Sequence, residues 1–380
     1  MNSEFPFFVV YYLGLLIATI FLSRFIFRKY IQFAKSYNLI KAVNSRAAHK
    51  GTVFTGGGVV YAAVIMVSAL ILDNLDFVEF SNFSPIVATA ILVSILGFFD
   101  DFIEISAFNK YITLAFLILM LLYANSTIPI IQSFNGFLGI YEIGYIPGLL
   151  FTAFVYLSIM NAINLTDGID GYLAIFSIFF FLSFLFTTSI NEFYTLSSVS
   201  VIIIGCSMIF LRYNFHKGKK LFVGDAGSLF IGFWIATYLI TYITSAPNSI
   251  LIDVFSININ NVPVIAISMI SIPVLDTLRV MLVRILNKKS PFAADRNHLH
   301  HILLDSGMTH LRTSLFLTFI NWFNAIVIFL LEQNFNSIEL TLIYILISVF
   351  WYLFFEYVNR KNLKSWLNLI FEFFYLVSFY

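Results

Sequence analysis

Apolar residues in this chain fall in long uninterrupted runs, with neither the alternation of a half-buried strand nor the stripe of a soluble helix. Eleven such segments can be read: 5–27, 56–72, 85–99, 111–123, 145–163, 172–187, 196–212, 227–244, 262–285, 313–331 and 339–358. About twenty apolar residues in a helix cross ~30 Å of hydrocarbon. The pattern therefore predicts an all-α polytopic membrane protein with about eleven transmembrane helices. The run 111–123 is short, and 128–148 leaves room for a re-entrant or interfacial piece. The first run is too long for a signal-peptide core and lacks a basic leader and a small-residue cleavage site, so it reads as a retained span. The tail 359–380 mixes basic, aromatic and apolar residues, which suits an interfacial helix, with a twelfth span as the alternative. No internal repeat or low-complexity linker divides residues 1–358, which read as one membrane domain.

Composition agrees with this class. The chain has 380 residues, of which 60% are hydrophobic and only 11% charged; the charged share is less than half that of an ordinary soluble domain. Soluble enzymes and nucleic-acid-binding modules are excluded on that ground. The single cysteine, Cys206, sits in an apolar run, so no internal disulfide framework exists.

The net charge of +1 is uninformative, but its distribution is not. All 21 Lys and Arg fall in 24–55, 100–110, 212–225, 279–312 and 360–364. The connections 73–84, 124–144, 188–195, 245–261 and 332–338 hold none. Eleven spans put these two sets on opposite faces. The positive-inside rule then predicts an outside N-terminus and cytoplasmic basic loops. All six histidines fall on the same side as the basic loops.

Carboxylates gather there too. The third apolar run ends in F-F-D-D, with Asp100 and Asp101; the fifth ends in N-A-I-N-L-T-D-G-I-D-G, with Asn164, Asp167 and Asp170. The eighth opens in L-F-V-G-D-A-G-S, with Phe222 and Asp225. The ninth carries P-V-L-D-T-L-R, whose Asp276 and Arg279 share a helix face, and the next loop reads D-R-N-H-L-H-H, with Arg296, His298, His300 and His301. A lone Asp at a helix start is an ordinary cap. Five carboxylates at three span ends are more than capping requires. Adjacent like charges raise each other's pKa unless a cation lies between them, and no basic residue follows Asp101 before Lys110. A divalent ion is the economical partner, and oxygen ligands of this kind suit Mg²⁺ or Mn²⁺, not zinc. Gly168 and Gly171 let the chain turn between Asp167 and Asp170. Backbone N–H groups after Gly224 open a helix and offer an anion site. The histidines sit at i, i+2 and i+3, poor spacing for a metal on one helix face, and better suited to contacting phosphate. In R-A-A-H-K-G-T-V-F-T-G-G-G, Arg46 and its neighbours suit anion contact, although basic topology and a flexible helix start account for this segment on their own.

In combination and in order, these motifs resemble the polyprenyl-phosphate N-acetylhexosamine-1-phosphate transferases of glycosyltransferase family 4. The undecaprenyl-phosphate GlcNAc-1-phosphate transferases are the nearer group. The resemblance runs from about residue 46 to about residue 304. It implies transfer of sugar-1-phosphate from a UDP-N-acetylhexosamine donor to undecaprenyl phosphate, giving UMP and an undecaprenyl-diphospho-sugar in the bacterial inner membrane. By similarity, Asp225 is a Mg²⁺ ligand with Asp170 sharing the ion, and Asp100, Asp101, Asp167 and Asp170 are catalytic. Arg46, Lys110, Asn164, Phe222, Asp276, Arg279, Arg296, His298, His300 and His301 fall at substrate-binding positions, with Phe222 stacking on uracil. A homodimer is compatible with it. The chain departs from the family pattern at Phe108 and Leu114, where a basic residue and a Gln are usual, and at Lys41–Val43, where D-x-P is expected. The rival reading is a cation-coupled transporter, since carboxylates in apolar helices also mark ion pathways. Transporter sites, however, gather near mid-membrane on broken helices, and these carboxylates lie at one face.

Overall fold

A computed structural model describes residues 5–41, 53–75, 78, 80–103, 105–124, 129–216, 220–290 and 297–361. Fourteen α-helices, three single-turn 3-10 helices and two small antiparallel strand pairs occur among the described residues. In order, the α-helices and strands are α1 (Phe5–Ser36), β1 (Ile40–Lys41), β2 (Val53–Phe54), α2 (Gly58–Asn74), α3 (Ser84–Ile103), α4 (Ala107–Ala124), β3 (Ser133–Phe137) and β4 (Ile140–Glu142). Then follow α5 (Tyr145–Thr166), α6 (Tyr172–Ile190), α7 (Tyr194–Asn214), α8 (Gly224–Ser245), α9 (Ile250–Phe255), α10 (Val262–Ser268), α11 (Ser271–Leu286), α12 (Leu299–Asp305), α13 (His310–Leu331) and α14 (Ser337–Lys361).

Ten of the eleven apolar runs each lie on one helix, and among the described residues nine helices are long and apolar enough to cross a membrane. The run 56–72 forms the shorter α2. The run 262–285 is broken between α10 and α11 with a 70° bend. The break leaves backbone groups without helical partners, and α13 supplies them: Asn321 accepts from the Ile272 N–H (3.1 Å) and donates to the Met269 carbonyl (2.8 Å). The stretch 128–148, open in sequence, folds where described as the β3–β4 hairpin leading into α5, its register pairing Ser133 with Glu142 and Phe137 with Ile140. The interfacial helix expected for the tail lies outside the described residues, apart from its first three positions at the end of α14.

The core is organised around α8. Its apolar window is 89% buried, against 17% for α1 and α14. A helix hydrophobic all round belongs inside, and α8 packs against α2, α3 and α5. The second layer is made by α6 and α7, with α1 on α7. Small residues set the closest approach: a Cβ on Gly58 would lie 1.9 Å from the backbone nitrogen of Gly227. The start of α2 is thereby pressed onto the start of α8. A backbone strap completes the join. The Phe54 N–H donates to the Lys220 carbonyl (3.0 Å) and the Phe222 N–H to the Phe54 carbonyl (2.8 Å). The N–H groups of Gly57 and Gly58 donate to the carbonyls of Phe222 (3.0 Å) and Val223 (2.8 Å). Within the T-G-G-G motif, the amides of Gly57 and Gly58 thus fix the 220–223 strap and are engaged there.

Candidate active site

At one end of α3, α5 and α8 lies a cavity whose lining includes Asn164, Asp167, Asp170, Phe222, Asp225 and Ser228. Three segments distant in sequence meet there: the turn after α5, the 220–223 strap and the first turn of α8. Two carboxylate–lysine clusters border it.

The first cluster joins α3, α4 and α8. Lys110 Nζ donates to Asp100 Oδ2 (2.7 Å) and is also hydrogen-bonded to Asp225. Asp100 accepts from the Ile105 N–H as well (2.8 Å). The adjacent Asp101 does something different. It accepts from the backbone N–H groups of Asp225 (3.0 Å) and Ala226 (3.4 Å). The helix start expected to receive an external anion is thus capped by the protein's own carboxylate. Gly224 adopts a φ of +70°, and a Cβ there would lie 2.1 Å from Asp101 Oδ2; only glycine permits this cap. Two neighbouring aspartates avoid mutual repulsion by pairing in different directions.

The second cluster joins the D-G-I-D-G turn to the strap. Asp170, buried, accepts from Lys220 Nζ (2.5 Å), and its N–H donates to His310 Nδ1 (3.2 Å). Ser314 Oγ on α13 donates to the Asp170 carbonyl (2.8 Å). Asn214 at the end of α7 clamps turn and strap together. It accepts from the Gly171 N–H (2.6 Å) and donates to the Leu221 carbonyl (2.9 Å). Lys220 also lies 5.4 Å from the centroid of the Phe222 ring, a cation–π contact. Asn164 donates to Ser228 Oγ (2.8 Å).

The histidines form a third group beside the turn. Asp276, buried, accepts from Arg279 (3.2 Å) and from the Leu299 N–H (3.0 Å), and is hydrogen-bonded to His298 Nδ1 (3.0 Å). Arg279 also donates to the Asn297 carbonyl. This geometry makes Asp276 and Arg279 holders of the histidine turn. The His298 and His300 rings stack at 5.7 Å. His300 abuts the D-G-I-D-G turn: a Cβ on Gly168 would lie 2.1 Å from its Nε2. Burial, reinforced by neighbouring His301, lowers its pKa to about 3, so the ring is neutral at pH 7.

The structure therefore brings Asp100, Asp101, Lys110, Asn164, Asp167, Asp170, Phe222 and Asp225 to one cavity or its borders. It sets Asp276, Arg279, His298, His300 and His301 just behind, outside the cavity lining. Arg46 and Arg296 lie outside the described residues. Of the departures from the family pattern, Phe108 is exposed and Leu114 buried in the core, and neither lines the cavity. Sequence reading missed Lys220, Asn214 and His310. Lys220 had one signal, its place at the head of the L-F-V-G-D motif; the other two had none, because their partners are 43 and 140 residues away.

A magnesium ion can be tested against the donor set. Among the described residues no three His, Cys, Asp or Glu side chains form a ready cage. Mg²⁺ does not require one: it usually takes one or two carboxylates and completes its shell with water and substrate phosphate. Asp170 and Asp225 line the same cavity, and both offer hard oxygen donors, so the residues fit the ion.

Residues 83–243 match the family model described as "Glycosyl transferase family 4". That range holds F-F-D-D, the D-G-I-D-G turn and the V-G-D-A-G-S strap; the histidine loop and T-G-G-G lie outside it. Over 150 residues the chain is 33% identical to "Probable undecaprenyl-phosphate N-acetylglucosaminyl 1-phosphate transferase" of Bacillus subtilis, covering 40% of this chain and 38% of that one. It is 35% identical over 127 residues to decaprenyl-phosphate N-acetylglucosaminephosphotransferase of Mycolicibacterium smegmatis, covering 32% and 30%. It is 32% identical over 126 residues to undecaprenyl-phosphate alpha-N-acetylglucosaminyl 1-phosphate transferase of Pasteurella multocida, covering 33% and 32%. The matched region thus spans two fifths or less of each of these relatives. Residues 83–243, which carry both carboxylate–lysine clusters, are thus similar to glycosyl transferase family 4.

Proposed function

We propose that this protein transfers N-acetylglucosamine 1-phosphate from a UDP-sugar to undecaprenyl phosphate in a bacterial cytoplasmic membrane, beginning a lipid-linked glycan. The observation that carries the reading is one cavity at the polar ends of apolar helices, lined by Asp167, Asp170, Asp225, Asn164 and Phe222. The sugar named in the relatives supports N-acetylglucosamine.

In the proposed reaction an oxygen of the lipid phosphate attacks the sugar-bearing phosphorus of the donor. A new P–O–P linkage forms, and the P–O bond to UMP breaks with the electron pair leaving on UMP. The lipid phosphate is already largely dianionic near pH 7, with a second pKa around 6, so a strong base is unnecessary. The barrier is repulsion between anions, and charge stabilisation with positioning supplies most of the catalysis. Lys110 and Lys220 hold positive charge on two sides of the cavity. Phe222 offers a face for the uracil ring, and Asn164 and Ser228 offer hydrogen bonds beside it. Asp101 acts on the position of Asp225, since its oxygens accept from the start of α8. This favours direct attack over a covalent route through Asp101. Asp225 and Asp170 would hold Mg²⁺, which would supply further charge stabilisation to the diphosphate and the leaving UMP.

The test is UMP release by the purified protein given undecaprenyl phosphate, Mg²⁺ and, separately, UDP-GlcNAc or UDP-GalNAc. The expected result is lipid-dependent UMP from UDP-GlcNAc, abolished by chelation. A folded protein that releases no UMP from any UDP-amino sugar overturns the assignment.

A further inference from the structure

Away from the cavity, α1 and α7 pack side by side, and their polar ends form a groove lined by Arg28, Ile31, Gln32, Arg212, Tyr213 and His216. Arg28, Gln32 and Arg212 are exposed, and neither arginine has a carboxylate partner among the described residues. The stretches that build the groove are free of acid: no Asp or Glu occurs between Glu4 and Asp73, nor between Glu192 and Asp225. Next to this basic end the same helix faces are apolar. Phe21, Phe25, Arg28 and Gln32 follow one another on one face of α1, and Met208 and Arg212 on one face of α7. Phe21, Phe25 and Met208 are all exposed. Apolar surface that turns cationic within one helical turn has the profile of a phospholipid, with acyl chains followed by a phosphate.

We propose that this groove binds an anionic phospholipid, with the headgroup phosphate between Arg28 and Arg212 and the acyl chains along Phe21, Phe25 and Met208. Basic pockets between helices on the positive side of a membrane protein take such headgroups. Positive-inside topology accounts for the number of basic residues. It does not account for their convergence from two helices far apart in sequence onto one acid-free groove. The site also has a structural connection inward. The Tyr213 carbonyl accepts from the Leu221 N–H (3.2 Å), and the next residue, Asn214, clamps Gly171 and Leu221. A headgroup held by Arg212 therefore steadies the helix end that anchors the strap bearing Lys220 and Phe222. That consequence for activity rests on the proposed transferase reading; the binding itself does not.

The experiment is native mass spectrometry of the full-length protein in detergent, offered phosphatidylglycerol, phosphatidylcholine, inorganic phosphate or undecaprenyl phosphate. Phosphatidylglycerol is expected to be retained in preference to phosphatidylcholine. The Arg28→Gln/Arg212→Gln variant should weaken that binding about 30-fold, and the Arg28→Lys/Arg212→Lys variant should keep most of it, with unchanged melting temperatures. Equal retention of the two phospholipids, or an unchanged preference in the Gln variant, overturns the proposal. Displacement of phosphatidylglycerol by equimolar inorganic phosphate or undecaprenyl phosphate also overturns it, showing a free-anion site or an acceptor site. UMP release measured in parallel separates this outcome from failure of the transferase reading.

Discussion

The two carboxylate–lysine clusters beside the cavity use the same chemistry on different supports. In the Asp100–Lys110–Asp225 cluster every member is on a helix, and Asp101 ties the end of α3 to the start of α8. That wall cannot shift without moving three packed helices. In the Asp170–Lys220 cluster both members lie on short non-helical segments held by Asn214, His310 and the backbone of residues 54–58. The difference teaches that one wall has its geometry from helix packing and the other from a few hydrogen bonds. Removing a lysine should therefore have different consequences on the two sides.

The largest effect is expected at Asp225, where the helix-borne cluster meets the cavity. Asp225→Asn should lower UMP release about 10³-fold, chiefly through kcat, while the melting temperature changes little. The two lysines then sharpen the contrast. Lys220→Met should cost about 10²-fold in activity and destabilise less than the loss of Lys110, because it leaves one carboxylate, beside His310, without its lysine and not two facing each other, and Lys220→Arg should restore part of the activity. Lys110→Met should lower activity comparably and also destabilise by on the order of 2 kcal/mol, because it leaves Asp100 and Asp225 facing each other without their cation. Equal melting of the two Met variants would break the distinction between the walls.

A smaller effect tests the cap. Asp101→Ala removes the acceptor of two N–H groups at the start of α8 and should destabilise by about 1 kcal/mol in thermal or denaturant unfolding. Asp101→Asn keeps one acceptor and should fall between. If the Ala variant melts like the wild type while losing all activity, Asp101 acts on substrate and not through α8.

The smallest effect is a pH dependence set behind the second wall. His300 has a folded-state pKa near 3, well below the ordinary 6.5; burial is the main cause, neighbouring His301, His298 and His310 add to it, and Asp276 opposes it. Unfolded chains bind this proton below about pH 6.5 and the folded protein does not until about pH 3. The stability contributed is therefore complete above pH 6.5 and declines as pH falls toward 3. His300→Asn should flatten the fall in melting temperature between pH 7 and pH 5. An unchanged slope would remove His300 from the acid response.

Much of this architecture was legible in one dimension, for identifiable reasons. Every apolar run became helical, ten of the eleven as one helix each, because backbone groups in hydrocarbon must be satisfied within the segment and a helix does so locally. The clustering of Asp100, Asp167 and Asp225 at one face followed from their places at run ends. The break between α10 and α11 was not legible. Residues 262–285 read as one span, and the bend depends on Asn321 accepting and donating from α13.

By itself, the sequence determined the membrane class, the helical segments and which carboxylates share a face, since these depend on local hydrophobicity and order along the chain. Only the tertiary structure decided the partners. Asp167 and Asp170 have no lysine or arginine near them in sequence, yet Lys220 reaches Asp170 from fifty residues away. Asp100 and Asp101 look equivalent as neighbours, yet one pairs with Lys110 and the other caps α8. Successive side chains on a helix point about 100° apart, so adjacent residues meet different neighbours. Which neighbours those are is set by packing between helices, and no local pattern encodes it.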